Sequence, residues 1–340
     1  MAKSSARKRF VKGALIVTAG MYAAAEIVRR LDHNRSGDGE RGIPSLPDGK
    51  RVDGVVSKDG TPLYVDVCGG SGPTVFFVHG WTCNGTIWRY QKAHFCDKYR
   101  VVTLDLRGHG RSGMPESMDY STDRLAEDLK AVIDAINPEE FAIVGHSLGG
   151  FTTFKWHEHY GEQYRERLKG LVIVDSTGVD VVEGMVMGKL IDLFYPTPIA
   201  WYLNLFKREI PLFQKIADIY GKTSLAYVLI RLLVFGKKPP ANEVEFHRDM
   251  TFSTSLSSIS LAGKACLDYH VDYHLCDVDI PVLVVAGSLD TLTNEKSNER
   301  TCELLPDSRL RIYNDRGHGT LLECPEDLNR DVEEFLQGCF

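Results

Sequence analysis

Short apolar runs, rich in valine and isoleucine, alternate with helical segments along most of this 340-residue chain. The runs lie at 74–79, 101–106, 141–145, 171–175, 281–287 and 310–313, and helical patterns lie at 122–136, 149–161, 294–304 and 326–337. Strands that are apolar on both faces and alternate with helices predict a mostly parallel sheet covered by helices on both sides. Asp59-Gly60, between 51–57 and 62–68, predicts a hairpin before the first run.

The alternation is interrupted between residues 175 and 281, where no convincing strand is found. This region is rich in aromatic residues, among them Phe194, Tyr195, Trp201, Tyr202, Phe206, Phe213 and Tyr227. We predict a helical cap over 178–274, placed above the carboxyl edge of the sheet, where open α/β sheets bind ligands. The sheet domain is then formed by 51–177 and 275–340.

A nucleophile-elbow motif, G-x-S-x-G, follows the run at 141–145 and opens a helical segment. Its residues are Gly145-His146-Ser147-Leu148-Gly149. Glycines are needed here because a sharp strand-to-helix turn leaves no room for side chains beside the serine. We therefore predict that Ser147 is a nucleophile, raised above the edge of the sheet and facing the N-terminus of the helix that follows.

A serine nucleophile needs a base, and the base needs an orienting acid. His318 lies in a Gly-flanked loop after the last predicted strand, and Asp290 follows the strand before it. The order Ser147, Asp290, His318 is the one expected when a triad is built on a nucleophile elbow. Asp175, one strand earlier, is the alternative acid.

The oxyanion of a tetrahedral intermediate needs backbone donors. Leu148 follows the serine, and Trp81 lies in Val78-His79-Gly80-Trp81 at the end of an early strand, so we assign the two donors to the N–H groups of Leu148 and Trp81. His79 is expected to hold this loop by hydrogen bonds. The segment 105–113 lacks the GK[ST] ending of a phosphate loop, and we interpret it as a structural turn. No cofactor or metal is expected.

Together these motifs resemble the α/β-hydrolase superfamily over about residues 51–340. The resemblance is closest to single-domain serine hydrolases, including monoacylglycerol-lipase-like enzymes, cofactor-free haloperoxidase/esterases and C–C bond hydrolases. It implies an eight-stranded, mostly parallel sheet with a helical cap inserted after the sixth strand. The chain departs from the family pattern after Asp290, where Thr291-Leu292-Thr293-Asn294 stands in place of the proline often found there.

The N-terminus has the pattern of a targeting segment. Lys3, Arg7, Lys8, Arg9 and Lys12 precede an apolar stretch at 13–25. Three interpretations of residues 1–30 remain open: a signal-anchor, a cleaved signal peptide, and an amphipathic helix packed on the body. We expect membrane association through residues 1–30, with secretion after cleavage as the alternative, and a linker at 31–50.

The net charge and the cysteine spacing bear on nucleic-acid binding and on disulfide formation. The formal net charge of −6 argues against nucleic acid as a partner, because nucleic-acid binding requires a basic face. The eight cysteines form no CxxC pair, and a chain of this length needs no disulfide framework, so we expect most of them to be reduced and structural.

These residues predict a serine hydrolase that cleaves a carboxylic ester, with a lipophilic ester such as a monoacylglycerol as the expected substrate. Hydrolysis of a C–C bond and perhydrolysis use the same triad and remain alternatives. A ligand-binding receptor on this fold is a third possibility, since a fold does not dictate a function.

Overall fold

The computed structural model describes residues 2–36, 42–70, 72–180 and 211–340. Its strands are β1 Lys50–Val52, β2 Tyr64–Cys68, β3 Thr74–Val78, β4 Arg100–Asp105, β5 Phe141–His146, β6 Leu168–Val174, β7 Val282–Gly287 and β8 Ser308–Tyr313. Its helices are α1 Ala2–Ser36, α2 Arg89–Phe95, α3 Thr122–Ile136, α4 Leu148–Tyr164, α5 Pro211–Gly221, α6 Ser224–Val234, α7 Ala241–Ser253, α8 Leu256–Leu267, α9 Glu295–Leu304, α10 Thr320–Glu323 and α11 Pro325–Cys339.

The strands form one eight-stranded sheet in the order β1-β2-β4-β3-β5-β6-β7-β8. Strand β2 is antiparallel to β1 and β4, whereas β4, β3, β5, β6, β7 and β8 are parallel to one another. The predicted α/β-hydrolase fold is therefore confirmed. Its parallel strands bring their carboxyl ends to one edge, so the loops after β3, β5, β6, β7 and β8 meet there.

Helices cover both faces of the sheet, which explains the continuous apolar runs of the sequence. All five residues of β3 are buried, and alternate side chains enter different cores. Phe76 and Val78 pack in the cluster that includes helices α3 and α4, whereas Val75 and Phe77 pack in the cluster that includes α2 and α11. Position in the strand therefore selects the core that a side chain enters.

The described part of the predicted cap is helical. Helices α5, α6, α7 and α8 follow one another between β6 and β7, as the cap prediction required. Tyr227 of α6 is fully buried, and Phe213 of α5 is partly buried. The other aromatic residues named for the cap, Phe194, Tyr195, Trp201, Tyr202 and Phe206, lie outside the described residues.

Helix α1 differs from the expected N-terminal segment and linker, because it continues to Ser36 and packs on cap helices α6 and α7. The contact is mainly polar. Asp32, which is buried, accepts hydrogen bonds from Arg231 at 2.6 Å and from Tyr227 at 3.1 Å, and Arg29 donates to Glu245 at 3.1 Å. Packing on the body, one of the three interpretations, thus describes the C-terminal half of α1. Among the described residues, no helix is long and apolar enough to cross a membrane.

Most of the cysteines are free thiols, as expected, but one pair is oxidised. Cys68 of β2 and Cys96, next to α2, form a disulfide with a Cα–Cα distance of 5.7 Å. The two residues are 28 positions apart in sequence. No local motif marks such a pair, because strand β2 and the end of α2 meet only through the fold. The other cysteines are free.

Candidate active site

The predicted nucleophile sits on a strained turn between β5 and α4. Ser147 has φ 51° and ψ −120°, a conformation rarely adopted by residues other than glycine. The backbone around it is crowded. A Cβ added at Gly149 would lie 2.1 Å from the Val78 carbonyl oxygen, and one at Gly145 would lie 2.5 Å from the Gly149 carbonyl oxygen. Only glycine fits at these two positions, as the elbow motif predicted.

The structure brings Ser147, His318 and Asp290 together in a hydrogen-bonded chain. The Ser147 Oγ lies 2.8 Å from His318 Nε2, and His318 Nδ1 lies 2.8 Å from Asp290 Oδ2. The three residues follow β5, β8 and β7 respectively, so the parallel sheet delivers them to one edge. The imidazole can accept the serine proton at Nε2 while Nδ1–H donates to the carboxylate, which is the arrangement a serine nucleophile requires.

The loop after β7 fixes the Asp290 carboxylate. Its Oδ1 accepts hydrogen bonds from the N–H of Leu292 at 2.8 Å and of Thr293 at 3.0 Å, and its Oδ2 accepts from the Thr293 hydroxyl at 2.8 Å. The residues that replace the family's usual proline therefore orient the acid. These donors hold the carboxylate in the orientation in which its Oδ2 meets His318 Nδ1.

Asp175, the alternative acid, makes different contacts. It directly follows β6 and has φ 46°, and its Oδ2 accepts from the N–H of Thr320 at 2.9 Å and from the Thr320 hydroxyl at 2.7 Å. Burial, together with the nearby charge of Asp290, raises the pKa of Asp175 well above its ordinary value. Asp175 thus anchors the start of α10, two residues after His318. The geometry assigns the imidazole partner to Asp290.

The electrostatic surroundings of His318 favour its protonation. Its burial lowers the pKa, but the charge of Asp290, the hydrogen bond that His318 donates to Asp290 and the charge of Asp175 raise it, and the net pKa lies above the ordinary 6.5. A base with a raised pKa accepts the serine proton more readily. His318 must be neutral to do so, so its pKa also sets the lower pH limit of activity.

The predicted oxyanion loop lies against the elbow. A Cβ added at Gly80 would lie 3.0 Å from the Cβ of Ser147, so the backbone that leads into Trp81 passes beside the nucleophile. Leu148 is the first residue of α4, and the first N–H groups of a helix have no partner within it. The N–H groups of Trp81 and Leu148 therefore both belong to the immediate surroundings of the serine.

His79 and the 105–113 segment have structural contacts, as predicted. His79 Nε2 accepts from the N–H of Leu106 at 2.9 Å, and burial lowers the pKa of His79 to about 4. Asp105 accepts from the N–H of Arg111 at 2.8 Å, and the buried Arg107 pairs with Asp128 at 2.6 Å. The donors in this segment that could bind a phosphate, the Arg111 N–H and the Arg107 guanidinium, are bonded to carboxylates instead.

Sequence reasoning missed two neighbours of the triad. His146 lies behind the elbow, its Nε2 3.0 Å from the His318 carbonyl oxygen, and Thr320 connects the base loop to Asp175. His146 lies within the elbow motif and Thr320 lies two residues after His318, but no spacing rule predicts contacts between loops that follow different strands. In the described part of the chain, no cluster of three or more His, Cys, Asp or Glu residues could hold a metal ion.

Comparisons with known proteins agree with this geometry. A family model described as alpha/beta hydrolase fold matches residues 73–215. The chain is 25% identical over 289 residues to the non-heme chloroperoxidase CPO-A1 of Kitasatospora aureofaciens, an alignment that covers 82% of this chain and 98% of that one.

Two solved structures have the same fold. Est816, described as an N-acyl homoserine lactone degrading enzyme, is 26% identical with a TM-score of 0.64 and covers 82% of this chain and 99% of its own. A membrane phospholipase A, described as a bacterial virulence factor, is 22% identical with a TM-score of 0.66 and covers 98% of this chain and 99% of its own. The chain therefore has the α/β-hydrolase fold and is similar to hydrolases of that fold, esterases among them.

Proposed function

We propose that this protein is a serine hydrolase that cleaves a lipophilic carboxylic ester, such as a monoacylglycerol, through an acyl-enzyme. The observation that carries the proposal is the continuous chain from Ser147 Oγ through His318 to Asp290, with 2.8 Å at each step. Epoxide hydrolases and dehalogenases of this fold use a carboxylate nucleophile, and the serine at 147 argues against both reactions.

In the proposed reaction, Ser147 Oγ attacks the ester carbonyl and His318 Nε2 takes the serine proton. The carbonyl oxygen becomes an oxyanion and is stabilised by the N–H groups of Trp81 and Leu148. His318 then returns the proton to the departing alcohol, which leaves an acyl group on Ser147. A water molecule, deprotonated by His318, attacks this acyl group, and the carboxylic acid departs as Ser147 regains its proton.

Labelling with a fluorophosphonate tests the nucleophile. We expect wild-type protein to be labelled once and to turn over p-nitrophenyl esters, and Ser147→Ala to lose both properties while keeping its melting temperature. Loss of a triad member typically lowers kcat by about 10⁴–10⁶-fold. Full labelling of Ser147→Ala would contradict the assignment, and an unlabelled, inactive wild type would favour a receptor.

Preference for a lipophilic acyl chain is supported by the cap. Leu212, Ile216 and Ile219 of α5 are exposed at spacings that place them on one helical face. The exposed Leu229, Leu232 and Leu233 of α6 share a face in the same way. Each buried CH₂ is worth about 0.8 kcal/mol. We expect kcat/KM for p-nitrophenyl esters to rise by roughly 100-fold over three or four added methylenes. A maximum at the acetyl ester would contradict a lipid substrate.

Perhydrolysis or C–C bond hydrolysis is the second candidate. The similarity to the chloroperoxidase CPO-A1 over 82% of the chain favours it, because both reactions run on the same triad. Halogenation of monochlorodimedone in acetate and peroxide, beside a panel of vinylogous diketones, separates these activities from ester hydrolysis. Turnover of a diketone above that of every ester would move the assignment to C–C hydrolysis.

We further propose that the protein acts at a membrane surface, attached through residues 1–30. The exposed side chains of α5 and α6, together with Met21, Tyr22, Ile27 and Leu31 of α1, make an apolar patch on neighbouring helices, since α1 and α5 both contact α6. The sequence adds the basic residues of positions 3–12, which suit anionic headgroups. The membrane phospholipase A shares the fold over 98% of the chain, a share that must include most of α1.

The disulfide supports a location for the sheet domain on the oxidising side of that membrane. Disulfides persist outside the cytosol, and Cys68 and Cys96 are both buried in the sheet domain. The basic residues at 3–12 and the apolar stretch at 13–25 have the pattern of an export segment, and we propose that this segment stays with the chain at the outer membrane surface. Secretion after cleavage would give the same redox compartment, and N-terminal sequencing of the purified protein distinguishes the two.

Co-sedimentation with vesicles tests the patch. We expect full-length protein to bind vesicles of phosphatidylglycerol and phosphatidylcholine, and the double change Ile216→Asp and Ile219→Asp to weaken binding at least tenfold. The matched control is Val56→Asp, which alters an exposed apolar side chain of the sheet domain. Equal binding of the α5 variant and the control would contradict the patch as the docking surface.

A further inference from the structure

The oxyanion loop, residues 80–84, is joined to the cap through the side chain of Trp81. The indole Nε1–H of Trp81 donates to the carbonyl oxygen of Ile259 in α8 at 2.9 Å. One turn further along the same face, a Cβ added at Gly263 would lie 2.9 Å from the indole Cζ2. The indole ring therefore packs directly on α8, and it has room to do so because residue 263 is glycine.

The loop carries backbone strain at the next residue. Thr82 has φ 61°, a left-handed conformation that is a genuine outlier for a β-branched residue. Such a conformation persists only when surrounding contacts impose it, and strain of this kind collects at functional sites. Thr82 immediately follows Trp81, whose N–H is the proposed oxyanion donor, so the same peptide unit connects the strained residue and the donor residue.

Cap helix α7 supplies further contacts that hold this conformation. The hydroxyls of Thr82 and Thr251 lie 3.1 Å apart, and the thiol of Cys83 lies 3.6 Å from His247 Nε2. Both Cys83 and His247 are buried, and burial raises the pKa of the Cys83 thiol to about 12, so the group that meets His247 is the neutral thiol. Three consecutive residues of the loop thus each contact the cap, whereas Gly80 contacts the elbow.

We propose that helices α7 and α8 of the cap position the oxyanion donor, with Gly263, Ile259 and Thr251 as positioning residues. The inference rests on the proposed function, because it concerns the step in which the Trp81 N–H meets the oxyanion. The sheet domain supplies the nucleophile, acid and base. The cap, besides covering the substrate, holds the loop in the one conformation that aims the N–H at the reacting carbonyl.

The main test is Gly263→Ala, with Gly338→Ala as the matched control. Both are glycines in helices, but a Cβ at Gly338 meets nothing within 4 Å. The added methyl at 263 must displace the indole, which is rigid and fixed at Nε1. We expect kcat for p-nitrophenyl esters to fall by about 10–100-fold with KM changed less than twofold, since a misplacement near 1 Å can cost about 100-fold. Gly338→Ala should keep wild-type kcat.

Two measurements separate positioning from loss of structure. Fluorophosphonate titration counts competent sites, so kcat is expressed per labelled serine. The ratio of ester to thionoester turnover reports the oxyanion hole, because sulfur is a weak hydrogen-bond acceptor and gains little from its donors. We expect this ratio to fall in Gly263→Ala. An unchanged ratio together with an unchanged kcat would overturn the proposal.

Thr251→Val gives a second, independent test should Gly263→Ala fail to fold. It removes the hydroxyl that meets Thr82 and keeps the shape of the side chain, and Thr251→Ser should restore activity. Ser253→Ala is its control, because the Ser253 hydroxyl donates to Met250 within its own helix. If the wild type is an active esterase and Thr251→Val has the same kcat, only this inference is contradicted. If the wild type has no esterase activity, the proposed function is contradicted.

Discussion

The carboxyl edge of the sheet and the cap both border the candidate active site, but they are built in opposite ways. At the sheet edge, β5 is buried along its whole length, and Gly145 and Gly149 leave no room for a methyl group. In the cap, α5 exposes Ile216 at 54% and Ile219 at 71% of their surface. At the sheet edge, backbone atoms already touch one another and leave no free space. In the cap, α5 keeps apolar side chains exposed.

Because of this difference, the reaction type and the choice of substrate can depend on different parts of the molecule. Close backbone contacts keep the elbow, the acid loop and the base loop in one geometry, so the reaction type follows from the sheet edge. Helices with exposed faces can change their side chains without disturbing the triad. In the proposed function, selection of the ester, attachment to a membrane surface and positioning of the oxyanion loop are therefore assigned to the cap.

The largest effect should distinguish two aspartates of the sheet edge. Asp290→Asn should lower kcat by about 10⁴-fold, because an amide that donates to Nδ1 selects the wrong imidazole tautomer. Asp175→Asn should cost far less, because Asp175 meets Thr320 and not the imidazole. Steady-state kinetics of both variants give the comparison. The reverse ranking would make Asp175 the triad acid.

Replacing a buried and an exposed isoleucine by alanine should affect the free energy of unfolding very differently. Ile173 of β6 is fully buried between sheet and helices, and its change to alanine should cost about 2–5 kcal/mol of unfolding free energy. Ile219→Ala in α5 should change it by less than about 0.5 kcal/mol, as is usual for surface positions. Chemical denaturation measures both. A large loss at Ile219 would show that the patch is packed in solution.

The sequence predicted the sheet edge far better than it predicted the cap and N-terminus. Apolar runs and the order of Ser147, Asp290 and His318 suffice because parallel strands carry any residue that follows them to the same edge. The docking of α1 was one of three interpretations that the sequence left open, since it depends on Asp32 and Arg29, and a polar contact between distant helices leaves no periodic apolar pattern. The strain at Thr82 was equally hidden, because contacts with the cap impose it.

A smaller effect should test the contact between α1 and the cap. Asp32→Ala leaves the buried Tyr227 hydroxyl without its carboxylate and removes the partner of Arg231, which should cost about 1–3 kcal/mol. Asn34→Ala, at an exposed position of the same helix, is the control. Urea unfolding gives both values. Equal stability of the two variants would show that α1 is detached from α6 in solution.

The smallest effect concerns the pH limit that the sheet edge imposes on activity. His318 acts only when neutral, and Asp290 raises its pKa above 6.5 by more than burial lowers it. As pH falls below that raised pKa, kcat/KM should fall by about tenfold per pH unit, because imidazolium cannot accept the serine proton.

Asp175→Asn should leave the midpoint of the pH profile within a few tenths of a unit of the wild-type midpoint. The charge of Asp175 is the smallest of the effects that raise the pKa of His318, and burial favours the neutral form of Asp175, so the amide should change the pKa of His318 little. Profiles of kcat/KM from pH 4 to 9 measure both midpoints. A wild-type midpoint below 6.5 would contradict the ionised Asp290, and a shift of a full unit in Asp175→Asn would show that Asp175 carries charge beside the base.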